Sequence, residues 1–92
     1  MPGKWTFLTN HAHVLLALAA DPDARLRDIA ERVGITERAT QLIVKDLATD
    51  GYVTKAKVGR RNSYAITPGR TFRHPAEAGA RLDELLKIFR AG

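Results

Sequence analysis

Apolar residues recur at helical spacing in the middle of the chain. Between Leu26 and Val33 they fall at i, i+3, i+4 and i+7, which predicts a short helix beginning near Asp28. Gly34 follows, and glycine allows a helix to end through a positive φ angle. Thr36 can then cap a second helix by accepting a hydrogen bond from a free backbone N–H group. The pattern therefore predicts two helices joined by a tight turn.

The second helix, predicted over residues 37–49, has two faces of different chemistry. One face suits packing against the preceding helix, and it carries Ala39, Thr40, Ile43, Val44 and Leu47. The other face repeats the same spacing with mostly long polar side chains, namely Arg38, Gln41, Leu42 and Lys45. One face is thus expected to be buried and the other to be available to a partner.

A basic β-hairpin is predicted after this helix. Residues 52–58 are rich in β-branched and aromatic side chains, which favours a strand. The predicted turn contains Gly59, Arg60, Arg61 and Asn62, because glycine and asparagine are common turn residues. Residues 63–67 then return as the partner strand, with Tyr64 on its inner face.

The residues before this region predict one further helix. Thr9 or Asn10 can cap a helix that ends near Ala20, just before an Asp-Pro pair. This helix is apolar nearly all round, so it must be covered on more than one side. Trp5 and Phe7 precede it, and their alternation predicts an extended piece lying on the core. The alternative is that Trp5 forms an exposed partner contact. Leu26, between two arginines, is also a candidate for a short edge strand beside the hairpin.

A last helix is predicted over residues 75–90. Pro75 suits the first helical position, where its missing N–H group would have had no partner. An apolar stripe follows along the helix, formed by Ala78, Leu82, Leu85, Leu86 and Phe89 and widened by Ile88. This stripe and the outer face of the first helix both lack partners. They can pack on each other within one chain or across a two-fold axis.

The run from Gly34 to Val53 resembles the winged helix-turn-helix domain of MarR-type and ArsR-type transcriptional regulators. The resemblance rests on the turn glycine, the capping threonine, the long second helix and the Asp-Gly-Tyr-Val sequence that leads into the basic hairpin. It implies a single mainly α domain over residues 1–92 with a small antiparallel β-hairpin. Residues 9–67 would form the winged helix-turn-helix core, and 75–90 an additional C-terminal helix.

The resemblance also assigns roles to these elements. The helix over 37–49 would be the recognition helix, and residues 58–63 would form the wing. MarR-like regulators often dimerise through terminal helices, which favours a homodimer that uses Leu82, Leu85, Leu86 and Phe89. The cysteine ligands of metal-sensing ArsR-type proteins are absent, and neither a metal site nor a cofactor is expected.

The distribution of charge indicates a polyanionic partner. The net charge of the 92 residues is +5, but residues 52–76 alone carry +6 because they contain no Asp or Glu. The remainder sums to −1, from nine basic and ten acidic residues. The basic residues of this segment are Lys55, Lys57, Arg60, Arg61, Arg70 and Arg73. A positive field concentrated on one element attracts a polyanion.

Together these features predict a sequence-specific transcriptional regulator that binds double-stranded DNA. Arg38 suits a guanine edge, Gln41 an adenine edge and Lys45 a phosphate. Leu42 could contact a thymine methyl group or tuck under the edge of the core. Backbone or minor-groove contacts from the wing are expected from Lys57, Arg60, Arg61 and Asn62. With no apolar run near the roughly 18 residues of a membrane span and no signal-peptide pattern, a cytoplasmic protein without a membrane partner is expected.

Other functions remain as alternatives. A winged helix can serve as a protein-interaction module without base readout, and Leu42, Leu82 and Phe89 would then form an apolar docking patch. Single-stranded RNA binding fits less well, because the hairpin lacks stacking aromatic residues. No enzymatic activity is expected, since the chain has no cysteine, no glycine-rich phosphate loop and no Gly-x-Ser-x-Gly motif.

Overall fold

The computed structural model describes residues 5–89. Its helices are α1 (Asn10–Ala20), α2 (Leu26–Val33), α3 (Glu37–Thr49) and α4 (Leu82–Ile88), with a 3₁₀ turn at Pro75–Glu77. Strands β1 (Val53–Val58) and β2 (Arg61–Ile66) form one antiparallel sheet. The fold is a winged helix-turn-helix with an additional C-terminal helix, as the sequence predicts.

Side-chain and glycine caps define the helix ends. The Thr9 hydroxyl accepts a hydrogen bond from the N–H of Ala12 at 3.3 Å, and the Thr36 hydroxyl accepts one from Ala39 at 3.0 Å. Gly34 ends α2 with φ +89°, in the left-handed region that glycine enters at little cost. These caps confirm the predicted boundaries of α1 and the tight turn between α2 and α3.

The prediction of an edge strand at Leu26 is wrong. Leu26 is the first residue of α2, two positions before the predicted start, and within residues 5–89 the sheet consists of β1 and β2. One backbone hydrogen bond still links the hairpin to this region, from the N–H of Tyr64 to the carbonyl of Pro22 at 3.1 Å. A single bond at a proline turn anchors the hairpin without extending the sheet.

The predicted four-residue turn of the hairpin is also too long. Val58 pairs with Arg61 and Lys57 pairs with Asn62, so only Gly59 and Arg60 form the turn. Gly59 has φ +66°, and no non-glycine residue among those described has positive φ. Positive φ at the first turn residue alone matches a type II′ turn, whose twist suits a two-residue hairpin. Arg61 and Asn62 are consequently strand residues.

The core lies where α1, α2, α3, the hairpin and the start of α4 meet. The buried apolar side chains of α1 are Val14, Leu15, Ala17 and Leu18, while α2 and α3 contribute Ile29, Ala30, Ile43, Val44 and Leu47. Tyr64 is buried on the inner face of β2, as predicted. The prediction that Trp5 and Phe7 lie on the core is wrong. They are 72% and 92% exposed, and their rings pack edge to face on each other at 5.0 Å.

The C-terminal helix is shorter than the predicted 75–90. Pro75 does occupy a first helical position, but it opens only a 3₁₀ turn, which the His74 ring caps by accepting a hydrogen bond from Ala76 at 3.0 Å. Gly79, with φ +90°, breaks the helical path, and an antiparallel bridge joins Thr71 to Arg81. Helix α4 therefore begins at Leu82, and Arg90 lies outside the described residues.

The apolar stripe of α4 divides between the core and the surface. Leu82 and Leu85 are buried in the hydrophobic core of their own chain. This corrects their assignment as partner contacts, because a buried side chain has no surface left for a second chain. Leu86 is half-buried, whereas Ile88 and Phe89 are exposed.

Candidate nucleic-acid interface

Helix α3 presents its predicted polar stripe to solvent. Arg38, Gln41 and Lys45 are exposed, and Leu42 keeps 53% of its surface accessible. The opposite face is fixed in the core, where Thr40 is fully buried and its hydroxyl donates to the Thr36 carbonyl at 3.0 Å. Because α3 is held on one side, the stripe projects from a rigid support.

The hairpin, which follows α3 in the sequence, forms a second exposed polar surface. Four of its outward side chains are basic and one is an amide, and all are exposed: Lys55, Lys57, Arg60, Arg61 and Asn62. One guanidinium nitrogen of Arg61 donates to the carbonyl of Asp23 at 3.3 Å, which ties β2 to the turn before α2. Arg25, Arg60 and Arg61 line one recess of about 440 Å³ at this junction. Three arginines and one carboxylate, that of Asp23, thus line the same recess, and positive charge is in excess there.

Two arginines of the basic segment are engaged within the chain. Arg73 forms an ion pair with the Asp50 carboxylate at 2.8 Å, and Arg70 donates to the Asp50 carbonyl at 3.0 Å. The Arg70 guanidinium also lies 4.9 Å from the centre of the Tyr52 ring. Both side chains therefore contact the residues that end α3, and Asp50 offsets the charge of Arg73. The net charge available to a polyanion is smaller than the +6 of residues 52–76 for this reason. Sequence reasoning missed the role of Asp50, whose partners lie 20 and 23 residues away.

A histidine–carboxylate contact joins α3, the candidate recognition helix, to α1. The Nε2 atom of His11 lies 2.9 Å from Oδ2 of Asp46. His13 instead faces its own helix end, with Nδ1 at 3.2 Å from the side-chain oxygen of Asn10. Between residues 5 and 89, no group of three or more His, Cys, Asp or Glu is arranged to hold a metal ion.

The apolar patch that an interaction module would use is incomplete. Leu42 and Phe89 are both about half exposed, but Leu82 is buried in the hydrophobic core of its own chain. The three side chains therefore do not form the predicted common surface. In the described part of the chain, no helix is long and apolar enough to cross a membrane.

Comparison with known proteins identifies the family. One solved structure with a similar fold is that of the zinc-dependent MarR family transcriptional regulator AdcR in its Zn(II)-bound state. The two chains share 21% identity with a TM-score of 0.53, over 74% of this chain and 49% of AdcR, so this chain spans about half the length of that relative. At this identity the likeness shows the fold alone. No curated protein matches the chain. The sequence model of the MarR family matches residues 6–61, more than half of the 92 residues, and the chain therefore belongs to the MarR family.

Proposed function

We propose that the protein is a cytoplasmic transcriptional regulator that binds double-stranded DNA in a sequence-specific manner. Helix α3 would enter the major groove, and the wing, residues 58–63, would contact the backbone or the minor groove. The observation that carries the proposal is the exposed polar stripe of α3, held rigidly by its buried opposite face and followed by an exposed basic hairpin. Membership of the MarR family supports the same function.

The stripe of α3 carries the chemistry for base readout. Arg38 would donate two hydrogen bonds to a guanine, and the Gln41 amide would both donate to and accept from an adenine. Leu42 is exposed, which favours contact with a thymine methyl group over burial under the core edge. Lys45, the last member of the stripe, suits a phosphate. Each base contact of this kind contributes about 1 to 3 kcal/mol of discrimination.

The wing would fix the position of the protein on the duplex. Arg60 is a turn residue, while Lys57, Arg61 and Asn62 extend from paired strands. Contacts of such side chains with phosphates set register and orientation without reading sequence directly. Arg61 keeps further guanidinium N–H groups for a phosphate besides the one donated to Asp23, because a guanidinium has five.

We also propose that two copies bind DNA as a homodimer. With Leu82 and Leu85 buried, the apolar side chains that remain for a partner are Leu86 and Ile88 of α4 and Phe89, its C-cap. A two-fold dimer would present two α3 helices to an inverted repeat, with half-sites about one helical turn apart. Dimerisation through these residues would cover the exposed apolar side chains at the end of α4.

Selection of binding sites from random duplex DNA, followed by competition binding, tests the proposal. The selected duplex should bind more tightly than a scrambled one. Arg38→Ala and Gln41→Ala should each weaken the selected duplex by about 1 to 3 kcal/mol and flatten base preference at one position. Arg81→Ala is the matched control, since Arg81 pairs with Asp83 at 3.0 Å in the C-terminal segment, residues 70–89. Equal affinity for every duplex would contradict the assigned roles. So would loss of base preference in Arg60→Ala or Arg61→Ala while Arg38→Ala and Gln41→Ala keep it.

A further inference from the structure

A cavity of about 330 Å³ lies on the side of the core formed by the start of α1, the end of α3 and the C-terminal segment. Pockets for small molecules usually have volumes of about 300 to 1,000 Å³ and mostly apolar walls. Here Leu15, Leu47 and Leu85 supply aliphatic wall from three different helices. The cavity is therefore large enough for a compact organic molecule.

Aromatic rings form another part of the wall. Tyr52 and Phe72 line the cavity from the end of α3 and the C-terminal segment, and the 92% exposed Phe7 lines it as well. The faces of aromatic rings attract cations, and cages of such rings recognise quaternary ammonium groups. A ligand with an apolar body and a positive head would use both kinds of wall.

The charges around the cavity have the opposite sign to the protein as a whole. Three carboxylates line it, from Asp46, Asp50 and Glu77, against the single guanidinium of Arg73. The local sum is −2 with His11 neutral, whereas the whole chain carries +5. Asp50 and Arg73 offset each other through their 2.8 Å ion pair, so the excess negative charge belongs to Asp46 and Glu77.

Both of these carboxylates remain accessible to a ligand. Asp46 is exposed although His11 contacts one of its oxygens at 2.9 Å. Glu77 is exposed, and among residues 5–89 no lysine or arginine nitrogen lies within 4.0 Å of its carboxylate. A positive head could therefore approach either carboxylate without breaking an ion pair with Lys or Arg.

We propose that this cavity binds a hydrophobic organic monocation, such as an aryl or alkyl ammonium compound. The apolar body would lie against the leucines and aromatic rings, and the positive head would face Asp46 and Glu77. An aromatic acid of the same size would bring a negative charge to a rim that already carries an excess of two. The sign of the ligand charge therefore distinguishes this proposal from simple filling of an apolar cavity.

Three ligands of nearly equal shape test the proposal on the full chain, without DNA. Phenyltrimethylammonium is the cation, tert-butylbenzene the neutral isostere and benzenesulfonate the anion. Binding is followed by NMR of the leucine methyl groups, with Leu15, Leu47 and Leu85 as reporters within the cavity. The cation should bind most tightly and the anion least, with shifts concentrated on these methyl groups. Equal binding of all three ligands, tighter binding of the anion, or no binding of the cation would overturn the proposal.

Charge-neutralising variants separate the rim from the rest of the surface. Glu77→Gln should weaken the cation about threefold, the size of an exposed charge interaction, and leave the neutral isostere unchanged. Glu31→Gln is the matched control, because Glu31 is exposed on α2 and does not line the cavity. Equal effects of the two variants would overturn the placement of the cation at this rim. These measurements contain no DNA, so their outcome is independent of the proposed regulatory function.

Discussion

Arg60 and Arg73 carry the same charge in the same basic segment, but the structure predicts different behaviour on DNA. Arg60 is exposed at the turn of the wing, and no acidic group forms an ion pair with it in the described residues. Arg73 is held by Asp50 at 2.8 Å at the end of α3. Replacing either residue by alanine changes the net charge equally. Only Arg60→Ala should remove a phosphate contact.

The magnitude follows from counterion release. Besides Arg38, which is assigned to a guanine, the exposed basic side chains of the proposed DNA surface on α3 and the hairpin are Lys45, Lys55, Lys57, Arg60 and Arg61. With about 0.9 counterions released per phosphate contact, five contacts would give a log–log salt slope of at most about 4.5 per chain. Arg60→Ala should lower this slope by about 0.9, and Arg73→Ala should leave it unchanged. Loss of the exposed Arg73–Asp50 pair should cost no more than about 1 kcal/mol of stability.

Fluorescence anisotropy of a labelled duplex, titrated between about 50 and 200 mM salt, measures the slope of each variant. Circular dichroism melting of the free proteins checks that both variants remain folded. Equal loss of slope in both variants would refute the reasoning, because Arg73 would then leave Asp50 and bind phosphate. An unchanged slope in Arg60→Ala would remove the wing turn from the DNA surface.

Three further predictions concern assembly and stability. Phe89→Asp should yield folded monomers in sedimentation velocity. Leu85→Asp should instead unfold the chain, because it would bury a charge without a partner. Folded monomers from both variants would contradict the burial of Leu85. Thr36→Ala should lower the free energy of unfolding in urea by about 1 kcal/mol through loss of the cap to Ala39, and an unchanged value would show that the cap contributes nothing. Burial raises the pKa of Tyr64 above its ordinary value of 10.0, so the unfolded chain loses this proton first and stability falls as pH rises from about 10. Tyr64→Phe should reduce that fall in alkaline denaturation, and an identical fall in both proteins would refute the cause.

Local signals in the sequence were sufficient for the helix-turn-helix. Thr36 and Gly34 each act on groups within four residues, and the apolar spacing of α3 alone identifies which face is buried. The exposure of Arg38 and Gln41 follows from the same spacing. Their roles toward bases stay predictions, since spacing fixes only the direction in which side chains project.

Features that depend on distant contacts were not predictable in this way. In the sequence, the apolar stripe of α4 is equally compatible with packing against its own chain and against a second chain. Only the packing of the core shows that Leu82 and Leu85 are buried within their own chain. A proline at the first helical position is compatible with a single 3₁₀ turn, so Pro75 does not predict the length of the helix that follows. The rings of Trp5 and Phe7 pack on each other while both side chains stay exposed. The hydrophobicity of their segment does not distinguish this arrangement from burial in the core.

The end of α3 is joined to the C-terminal segment at several points, which has a mechanical consequence. Asp50 holds Arg70 and Arg73, and the Tyr52 hydroxyl donates to the Thr71 carbonyl at 3.2 Å. Because these bonds come directly after the last turn of α3, they restrain this end of the helix in addition to its packing in the core. In a dimer formed through Phe89, these contacts between the end of α3 and the C-terminal segment would help to set the separation of the two α3 helices. The dimer would then tolerate little variation in the distance between the two half-sites of its DNA.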